Sequence, residues 1–185
     1  MGDNSEMNHL MFEHPENEPV LTLTEEQCRK LLDNTRHGRF AFADGPKIEI
    51  FPINYVRDGD LLYFRTAPGS KLAAAEHGLD VAFQTDGILP EQAWSVVVRG
   101  VARMVTDTAE LEHVRQLGIA PWVPTLKDFF ASISIEELSG RHFIFGRQPE
   151  RDEDGGFRYA PDLKTSEPPR HPDTSRLSRH DGSAN

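Results

Sequence analysis

Three alternating segments joined by tight turns are the feature that most restricts the fold of this chain. Residues 39–43 alternate, Asp44–Gly45 is a hairpin signal, and residues 47–56 form a second alternating segment. Asp58–Gly59 makes the next turn and leads into Leu61–Thr66. Alternation with a period of two is typical of strands, and turns this short join antiparallel neighbours. The sequence therefore predicts an antiparallel meander.

Pro52 lies inside the second predicted strand. Proline has no N–H to donate to a sheet, so a strand that contains it is kinked, bulged or at an edge at that point. The meander is therefore expected to depart from regular pairing near Pro52.

The rest of the chain predicts more strands with helices between them. Further strands are expected at 79–85, 93–105 with a bend at Gly100, 129–135 and 141–145, and helices at 24–34, from Ser70, and from Asp107 to Gly118. This order favours a mainly β fold, a closed or nearly closed small barrel with flanking helices. The predicted organisation is an N-terminal arm at 1–19, one domain at 20–146, and a polar, disordered tail at 147–185.

The segment from Leu61 to Glu76 predicts an anion site. A strand is followed by Pro68–Gly69 and by a helix for which Ser70 is the expected N-cap. Free backbone N–H groups at the start of this helix, two hydroxyls and two cations would then surround one turn. A phosphate monoester suits that arrangement best; the alternative is an ordinary connection with solvated cations. The side chains are Arg65, Thr66, Ser70 and Lys71.

Composition excludes several classes of function. The formal net charge of -10 argues against nucleic acid as the main partner and gives no support to binding at an anionic membrane. The single cysteine, Cys28, rules out an intrachain disulfide. Neither a secretory signal nor an apolar stretch long enough to span a bilayer is evident, so a soluble cytoplasmic protein is expected.

Six motifs occur in a definite order: Gly38–Phe42, Pro52–Tyr55, Tyr63–Ala67, Gly69–Leu72, Trp94–Gly100 and Gly140–Phe143. Together they resemble the pyridoxamine 5′-phosphate oxidase-like family, the flavin-binding split-barrel proteins. The resemblance covers roughly residues 23–145 and leaves out both tails. It implies a six-stranded antiparallel split β-barrel of the FMN-binding type, a homodimer, and FMN held in clefts between the two subunits.

The resemblance also implies roles for individual residues. One group would hold the flavin phosphate, a second would lie along the isoalloxazine, and a third would offer polar or aromatic side chains, partly from the second subunit. These are Arg65, Thr66, Ser70 and Lys71 for the phosphate; Pro52, Ile53, Asn54 and Tyr55 beside the ring; Gln84 from the same subunit; and Trp94, Ser95 and Arg99 from the partner.

The function implied is an FMN-dependent oxidoreductase acting on an unidentified small molecule, with no side-chain acid or base and no metal. The chain leaves the family pattern after Phe143, where a second basic cluster would bind the phosphate of pyridoxamine phosphate, so that specific activity is not implied. The alternative is a deazaflavin-, flavin- or haem-binding protein without oxidase activity. A haem would need an axial ligand such as His142, for which a structural role is favoured. Trp122, between two prolines, could line a substrate cleft or fill a hydrophobic notch.

Overall fold

A computed structural model describes residues 12–15, 18–120, 126–147, 150–151 and 157–158, and over these ranges the chain forms ten strands and three helices. The predicted mainly β fold is confirmed. The elements are β1 (Val20–Thr22), α1 (Glu25–Asn34), β2 (His37–Asp44), β3 (Lys47–Asp58), β4 (Leu61–Thr66), α2 (Ser70–Glu76), β5 (Asp80–Ile88), β6 (Gln92–Met104), α3 (Thr108–Gln116), β7 (Phe129–Ser134), β8 (Glu137–Ile144), β9 (Glu150–Arg151) and β10 (Phe157–Arg158).

Six of these strands close into a ring, hereafter the barrel. Its order is β6-β5-β2-β3-β4-β7, and β7 returns to pair with β6, all neighbours being antiparallel. The strand β8 adds to the outer side of β6, and β1 adds to β8. The six-stranded split barrel implied by the resemblance is therefore confirmed, with two strands added beside it.

Gly100 lies between the part of β6 that pairs with β8 and the part that pairs with β7. Residues 93–101 pair with β5, residues 92–99 also pair with β8, and Ala102–Met104 pair with β7. A Cβ atom at Gly100 would lie only 1.8 Å from the carbonyl oxygen of Ser134. The absence of a side chain at Gly100 permits this close approach, which lies where the barrel closes.

The core fills the barrel with aromatic and branched side chains from alternate strand positions. Phe40, Phe64 and Phe83 are completely buried, and the rings of Phe40 and Phe64 lie 5.4 Å apart. The helix α1 packs its Cys28, Leu31 and Leu32 face onto this core. These three residues are the apolar stripe expected from their spacing, so Cys28 is a buried core thiol, and burial raises its pKa.

Two of the three predicted helix starts are confirmed and one is wrong. At the start of the helix predicted from Thr24, Thr24 forms a capping box with Gln27, and the Asp107 side chain accepts from the Glu110 N–H. Ser70, however, is the first helical residue and makes no capping hydrogen bond. Gly69 is the N-cap, with a φ of 149° that glycine adopts readily. The prediction was off by one residue because it assigned Gly69 to the chain break before the helix and the cap to Ser70.

Pro52 lies at an edge, as one of the predicted alternatives required. From Lys47 to Asn54, β3 pairs with β2 alone, and it pairs with β4 only from Tyr55 onward. The Tyr55 N–H donates to Arg36 O on the β2 side, so by alternation the Pro52 nitrogen faces away from β2. The proline therefore costs the sheet no hydrogen bond.

Part of the segment predicted as an arm contacts the barrel. The buried Phe12 ring stacks on His142 with 4.4 Å between centroids, and His14 Nε2 lies 2.7 Å from His142 Nδ1. His142 Nε2 lies 2.9 Å from Gln92 Oε1. These contacts attach residues 12–14 to β6 and β8. Residues 1–11, 16 and 17 lie outside the described range.

The chain divides into two units, Met1–Ile144 and Phe145–Asn185. In the second unit, the described part is a short antiparallel pair in which β9 pairs with β10. The predicted disorder of the tail concerns residues that are otherwise outside the described range, and so does Trp122. None of the three described helices is long and apolar enough to cross a membrane.

Candidate functional site

A cleft of about 310 Å³ opens where β3 and β4 separate. The two strands pair as far as Tyr55 and Phe64, and beyond that point β4 continues only against β7. One wall of the cleft is the unpaired side of β3, and the other is the end of β4 with the turn into α2. We call it the basic cleft; it is lined by Pro52, Ile53, Asn54, Arg65, Thr66, Ala67, Pro68, Gly69, Lys71, Ile119 and Lys127.

Arg65 is held in place by backbone and aromatic contacts. Its Nε and Nη2 donate to Lys127 O at 2.9 and 2.6 Å, and its guanidinium carbon lies 5.3 Å from the centre of the Phe130 ring. Among the described residues Nη1 has no hydrogen-bond partner. The guanidinium is therefore oriented by the protein while one of its edges remains for a ligand.

Lys71 is a half-buried cation that pairs with no carboxylate among the residues described. Its Nζ lies 4.4 Å from the centre of the Phe51 ring. Burial lowers the pKa of Lys71, and the positive charge of Lys127 lowers it further. Within the described part of the chain, Arg65, Lys71 and Lys127 form no ion pair with an acidic side chain. Three cations thus line one cleft, and no described acidic side chain pairs with them.

Six of the twelve predicted binding residues line the basic cleft: Pro52, Ile53, Asn54, Arg65, Thr66 and Lys71. Thr66 is buried, and its hydroxyl donates to Ala67 O at 3.1 Å. Ser70 is exposed beside the cleft but does not line it. The β3 edge and the β4–α2 turn, selected from separate parts of the sequence, therefore meet at one cavity.

Sequence reasoning missed Lys127 and Ile119 as lining residues. Lys127 lies just before β7, and the pairing of Arg65 with Phe130 brings it beside Arg65. Ile119 follows the end of α3. Neither carries a local motif; a prediction that β4 and β7 are neighbours would have located Lys127.

Tyr55 lies in the core. It is 1% exposed, and its hydroxyl donates to Leu32 O at 2.9 Å and contacts the Thr35 hydroxyl. Burial raises the pKa of Tyr55 to about 12. In this position the side chain fastens α1 to the barrel, while the neighbouring Asn54 lines the cleft.

Substitution of Tyr55 by phenylalanine tests whether Tyr55 stabilises the core without contributing to ligand binding at the cleft. We expect the free energy of unfolding at pH 7 to fall by about 1–2 kcal/mol, because Leu32 O loses a buried donor, with ligand affinity unchanged. Because the pKa of Tyr55 is higher in the folded protein than in the unfolded chain, the stabilisation that its protonated hydroxyl gives the wild type is complete below about pH 10. The wild type loses roughly 2 kcal/mol between pH 10 and 12, a loss that the variant avoids. Denaturant unfolding at several pH values measures both; weakened ligand binding would contradict the core role.

Three other predicted residues lie on the outward face of the barrel. Gln84 accepts from Arg39 and donates to Asp86 Oδ1 at 3.0 Å. Ser95 is half-buried opposite Asp86, and Arg99 is exposed with Nη1 3.2 Å from Glu137 Oε2. Trp94, in contrast, is buried on the opposite face of β6. In one copy of the chain, none of these four residues lines the basic cleft.

The same outward face carries exposed apolar side chains. Ile48 and Ile50 are 69% and 61% exposed. By register, Ala43 pairs with Ile48 and Ala41 with Ile50, and a shallow cavity of about 450 Å³ lies over this part of the sheet. We call the surface formed by Ala41, Ala43, Ile48 and Ile50 the apolar face. Pro52, Gln84, Ser95 and Arg99 adjoin this surface, because they lie on the same side of the paired strands.

His142 is not placed as a haem ligand. It is 2% exposed, and both ring nitrogens are engaged, Nδ1 with His14 and Nε2 with Gln92. An axial ligand needs one nitrogen directed at the iron. The structural role favoured from the sequence agrees with this arrangement. Nor does the described part of the chain contain a cluster of His, Cys, Asp and Glu that could hold a metal ion.

Comparison with known proteins decides the family. A model described as pyridoxamine 5′-phosphate oxidase matches residues 24–142. The chain belongs to the pyridoxamine 5′-phosphate oxidase-like family. The match includes the meander, the whole of the β4–α2 turn and most of β8, so the family region contains every residue predicted to bind the cofactor.

Relatives in this family share the same architecture. A protein from Corynebacterium glutamicum, provisionally named a pyridoxamine 5′-phosphate oxidase, is 32% identical, with a TM-score of 0.62 over 72% of this chain and 100% of its own. An FAD-binding protein from Mycobacterium smegmatis is 35% identical, with a TM-score of 0.60 over 67% of this chain and 98% of its own. An uncharacterised protein from Mycobacterium tuberculosis is 36% identical over 51% of this chain and 86% of its own.

Proposed function

We propose that the basic cleft binds the phosphate of a flavin nucleotide such as FMN, and that the protein is a flavin-dependent oxidoreductase. The observation that carries this proposal is the set of three cations, Arg65, Lys71 and Lys127, around one cleft without a carboxylate partner among the described residues. The M. smegmatis relative, which binds FAD, supports a flavin as the ligand.

The residues present fit a phosphate ester joined to a flat ring. Arg65 offers a guanidinium edge, and Lys71 and Lys127 offer ammonium groups that hydrogen-bond phosphate oxygens. Pro52, Ile53 and Asn54 form an open strand edge at the other wall, where a ring is able to lie against the backbone. The cleft of about 310 Å³ is at the lower end of the size of ligand sites, so the ring would extend beyond it along β3.

When bound, the flavin would supply hydride and electron transfer. The chain itself would bind and orient the cofactor: the cations fix the phosphate, and the β3 edge fixes the ring. Backbone N–H groups near Asn54 are the groups we expect to stabilise negative charge on the reduced ring. Tyr55 and Tyr63, each with a pKa raised to about 12, stay protonated at neutral pH, and we assign neither a catalytic role.

The proposal includes a homodimer formed through the apolar face. Its isoleucines are exposed in a single copy, and burying them on a second copy would remove apolar surface from water. Gln84, Ser95 and Arg99 lie on the same face, so dimerisation is a route by which they would approach a partner's cleft. Trp94, predicted to reach the partner's cofactor, would need to act from its buried position behind this face.

Replacing Ile50 by aspartate tests the dimer. We expect the variant to be monomeric at micromolar concentration, because the interface would bury an unpaired carboxylate. Sedimentation velocity measures the change, and Glu76→Asp, an exposed substitution on α2, serves as the control. A wild type that is monomeric, or an Ile50→Asp variant that remains dimeric, would contradict the assignment of this face.

The visible spectrum of the purified protein tests the cofactor. We expect the bands of an oxidised flavin that is released on denaturation. These bands should bleach when NADH or NADPH reduces the flavin without an acceptor, and they should return when an added acceptor reoxidises it. A Soret band would show that the cofactor is haem and not a flavin. A deazaflavin spectrum would agree with the phosphate site but would show that the bound ring is a deazaflavin. If the bound flavin is never reduced under turnover conditions, the protein binds a flavin but has no oxidase activity.

The substrate is proposed to be a small molecule, and a cytoplasmic location remains a prediction from the sequence. Pyridoxamine-phosphate oxidase activity itself is not proposed, because that reaction needs a second phosphate site. Arg65, Lys71 and Lys127, the cations that line the basic cleft, are all assigned to the first.

A further inference from the structure

The surroundings of the Lys71 amine favour reaction as a nucleophile. It packs on the Phe51 ring, and among the described residues no carboxylate pairs with it, whereas the Lys30 Nζ lies 2.7 Å from Glu26 Oε1. Burial lowers the pKa of Lys71, and the charge of Lys127 lowers it further. A larger fraction of this amine is therefore neutral at a given pH than in an ordinary lysine, and the neutral form is the one that carries a reactive lone pair.

We propose that Lys71 is a modification site, at which an acyl phosphate bound in the basic cleft acylates the Nζ atom. An acyl phosphate joins a reactive carbonyl carbon to a phosphate, and Arg65 and Lys127 offer the cleft's other positive charges to that phosphate. The site itself does not depend on the identity of the cofactor. Its effect on cofactor binding rests on the flavin function proposed above, because the same cations would hold the flavin phosphate.

The reaction transfers an acyl group from oxygen to nitrogen. The lone pair of the neutral Nζ attacks the carbonyl carbon, a C–N bond forms, and the bond from that carbon to the phosphate oxygen breaks. The phosphate leaves with the electron pair of the broken bond and takes the proton that the nitrogen gives up. Nothing is oxidised or reduced. Arg65 and Lys127 would stabilise the negative charge that the departing phosphate gains.

The lining of the cleft suits such a reagent. Arg65 is fixed by its two hydrogen bonds to Lys127 O, so its guanidinium stays beside the cavity. None of the described residues that line the cleft is acidic, so the lining neither repels a dianion nor holds the Lys71 amine in its protonated form. A cavity of about 310 Å³ accommodates a small acyl phosphate. The empty cleft is therefore the form that would react, and a bound phosphate ester would protect it.

The test measures the acylation rate of each lysine in the full-length, flavin-free protein by peptide mass spectrometry. With acetyl phosphate, we expect Lys71 to react at least about tenfold faster than the exposed Lys47, because the cations beside Lys71 hold the phosphate. Acetic anhydride carries the same acyl group without a phosphate, and with it this preference should fall at least about threefold. Added inorganic phosphate should slow the reaction with acetyl phosphate alone.

Arg65→Gln tests the phosphate contact directly. It should slow acylation of Lys71 by acetyl phosphate about tenfold and leave acylation by acetic anhydride within about twofold. Arg103→Gln, an exposed arginine of β6 that does not line the cleft, is the matched control and should change neither rate. Circular dichroism of Arg65→Gln establishes that it is folded, and competition by inorganic phosphate tests the same contact in the wild type.

The outcomes separate this site from the flavin function. Equal reaction of Lys71 and Lys47 with acetyl phosphate, preferential reaction of Lys127, or the same preference with both reagents would overturn the modification site. FMN added first should protect Lys71, and the acylated protein should bind FMN about tenfold more weakly. Preferential acylation that FMN does not prevent would retain the modification site and contradict the flavin site. Protection by FMN without a preference for acetyl phosphate would do the reverse.

Discussion

Replacing Arg65 and Lys71 together by glutamine is expected to lower flavin affinity by at least about a hundredfold. A hydrogen bond to a charged group contributes about 1.5–3 kcal/mol, and the double variant removes two cations that face one cleft. Glutamine retains a polar side chain and much of the length, so the loss reports charge rather than shape. Isothermal titration with FMN and FAD measures it.

The matched control is the double variant Lys47→Gln and Arg103→Gln. Both residues are exposed and lie away from the basic cleft, yet the change in net charge is the same. The control should retain wild-type affinity at moderate salt, where distant charges are screened. If both double variants lose flavin affinity equally, the loss comes from the change in the net charge of the protein, and the phosphate site is not at this cleft.

The second large effect is expected at the closure of the barrel. Substitution of Gly100 by alanine would place a methyl carbon 1.8 Å from the carbonyl oxygen of Ser134, which is backbone and has no rotamer to change. Nearby, the Glu136 N–H donates to Arg99 O and the Val101 N–H donates to Ser134 Oγ. We expect a loss of about 3 kcal/mol or more in the free energy of unfolding.

Gly45→Ala is the comparison for this experiment. Gly45 lies in the β2–β3 turn with a φ of 58°, and a Cβ atom there would meet nothing within 4 Å. Its replacement should cost about 1–2 kcal/mol, from backbone conformation alone. Urea unfolding of both variants distinguishes them. A Gly100→Ala protein as stable as Gly45→Ala would show that β6 and β7 move apart at little cost.

Much of the fold was predictable because it depends on local rules. The two Asp-Gly turns set the pairing of β2, β3 and β4, and the absence of an N–H on Pro52 limited that position to a kink, a bulge or an edge. Gly100, a missing side chain in a long predicted strand, indicated a local departure from a regular strand, and the structure has the close contact with Ser134 there. Each of these conclusions needs only neighbouring residues in the sequence.

The parts that could not be predicted depend on distant pairings. Lys127 reaches the basic cleft because β7 pairs with β4, and nothing in the sequence around Lys127 indicates that neighbour. Ser70 resembles a good cap, but the conformation of Gly69 decided the helix start. Tyr55 and Asn54 are adjacent in one motif, yet strand alternation sends the first into the core and leaves the second at the cleft.

The separation of β3 from β4 also leaves the side of β3 that faces away from β2 unpaired from Lys47 to Asn54. An open strand edge next to exposed isoleucines is a template on which other chains could add and aggregate. Pro52 and Lys47 are residues that oppose such addition. A bound nucleotide would cover one end of this edge, so the empty form of the protein is the one most exposed to aggregation during synthesis and storage.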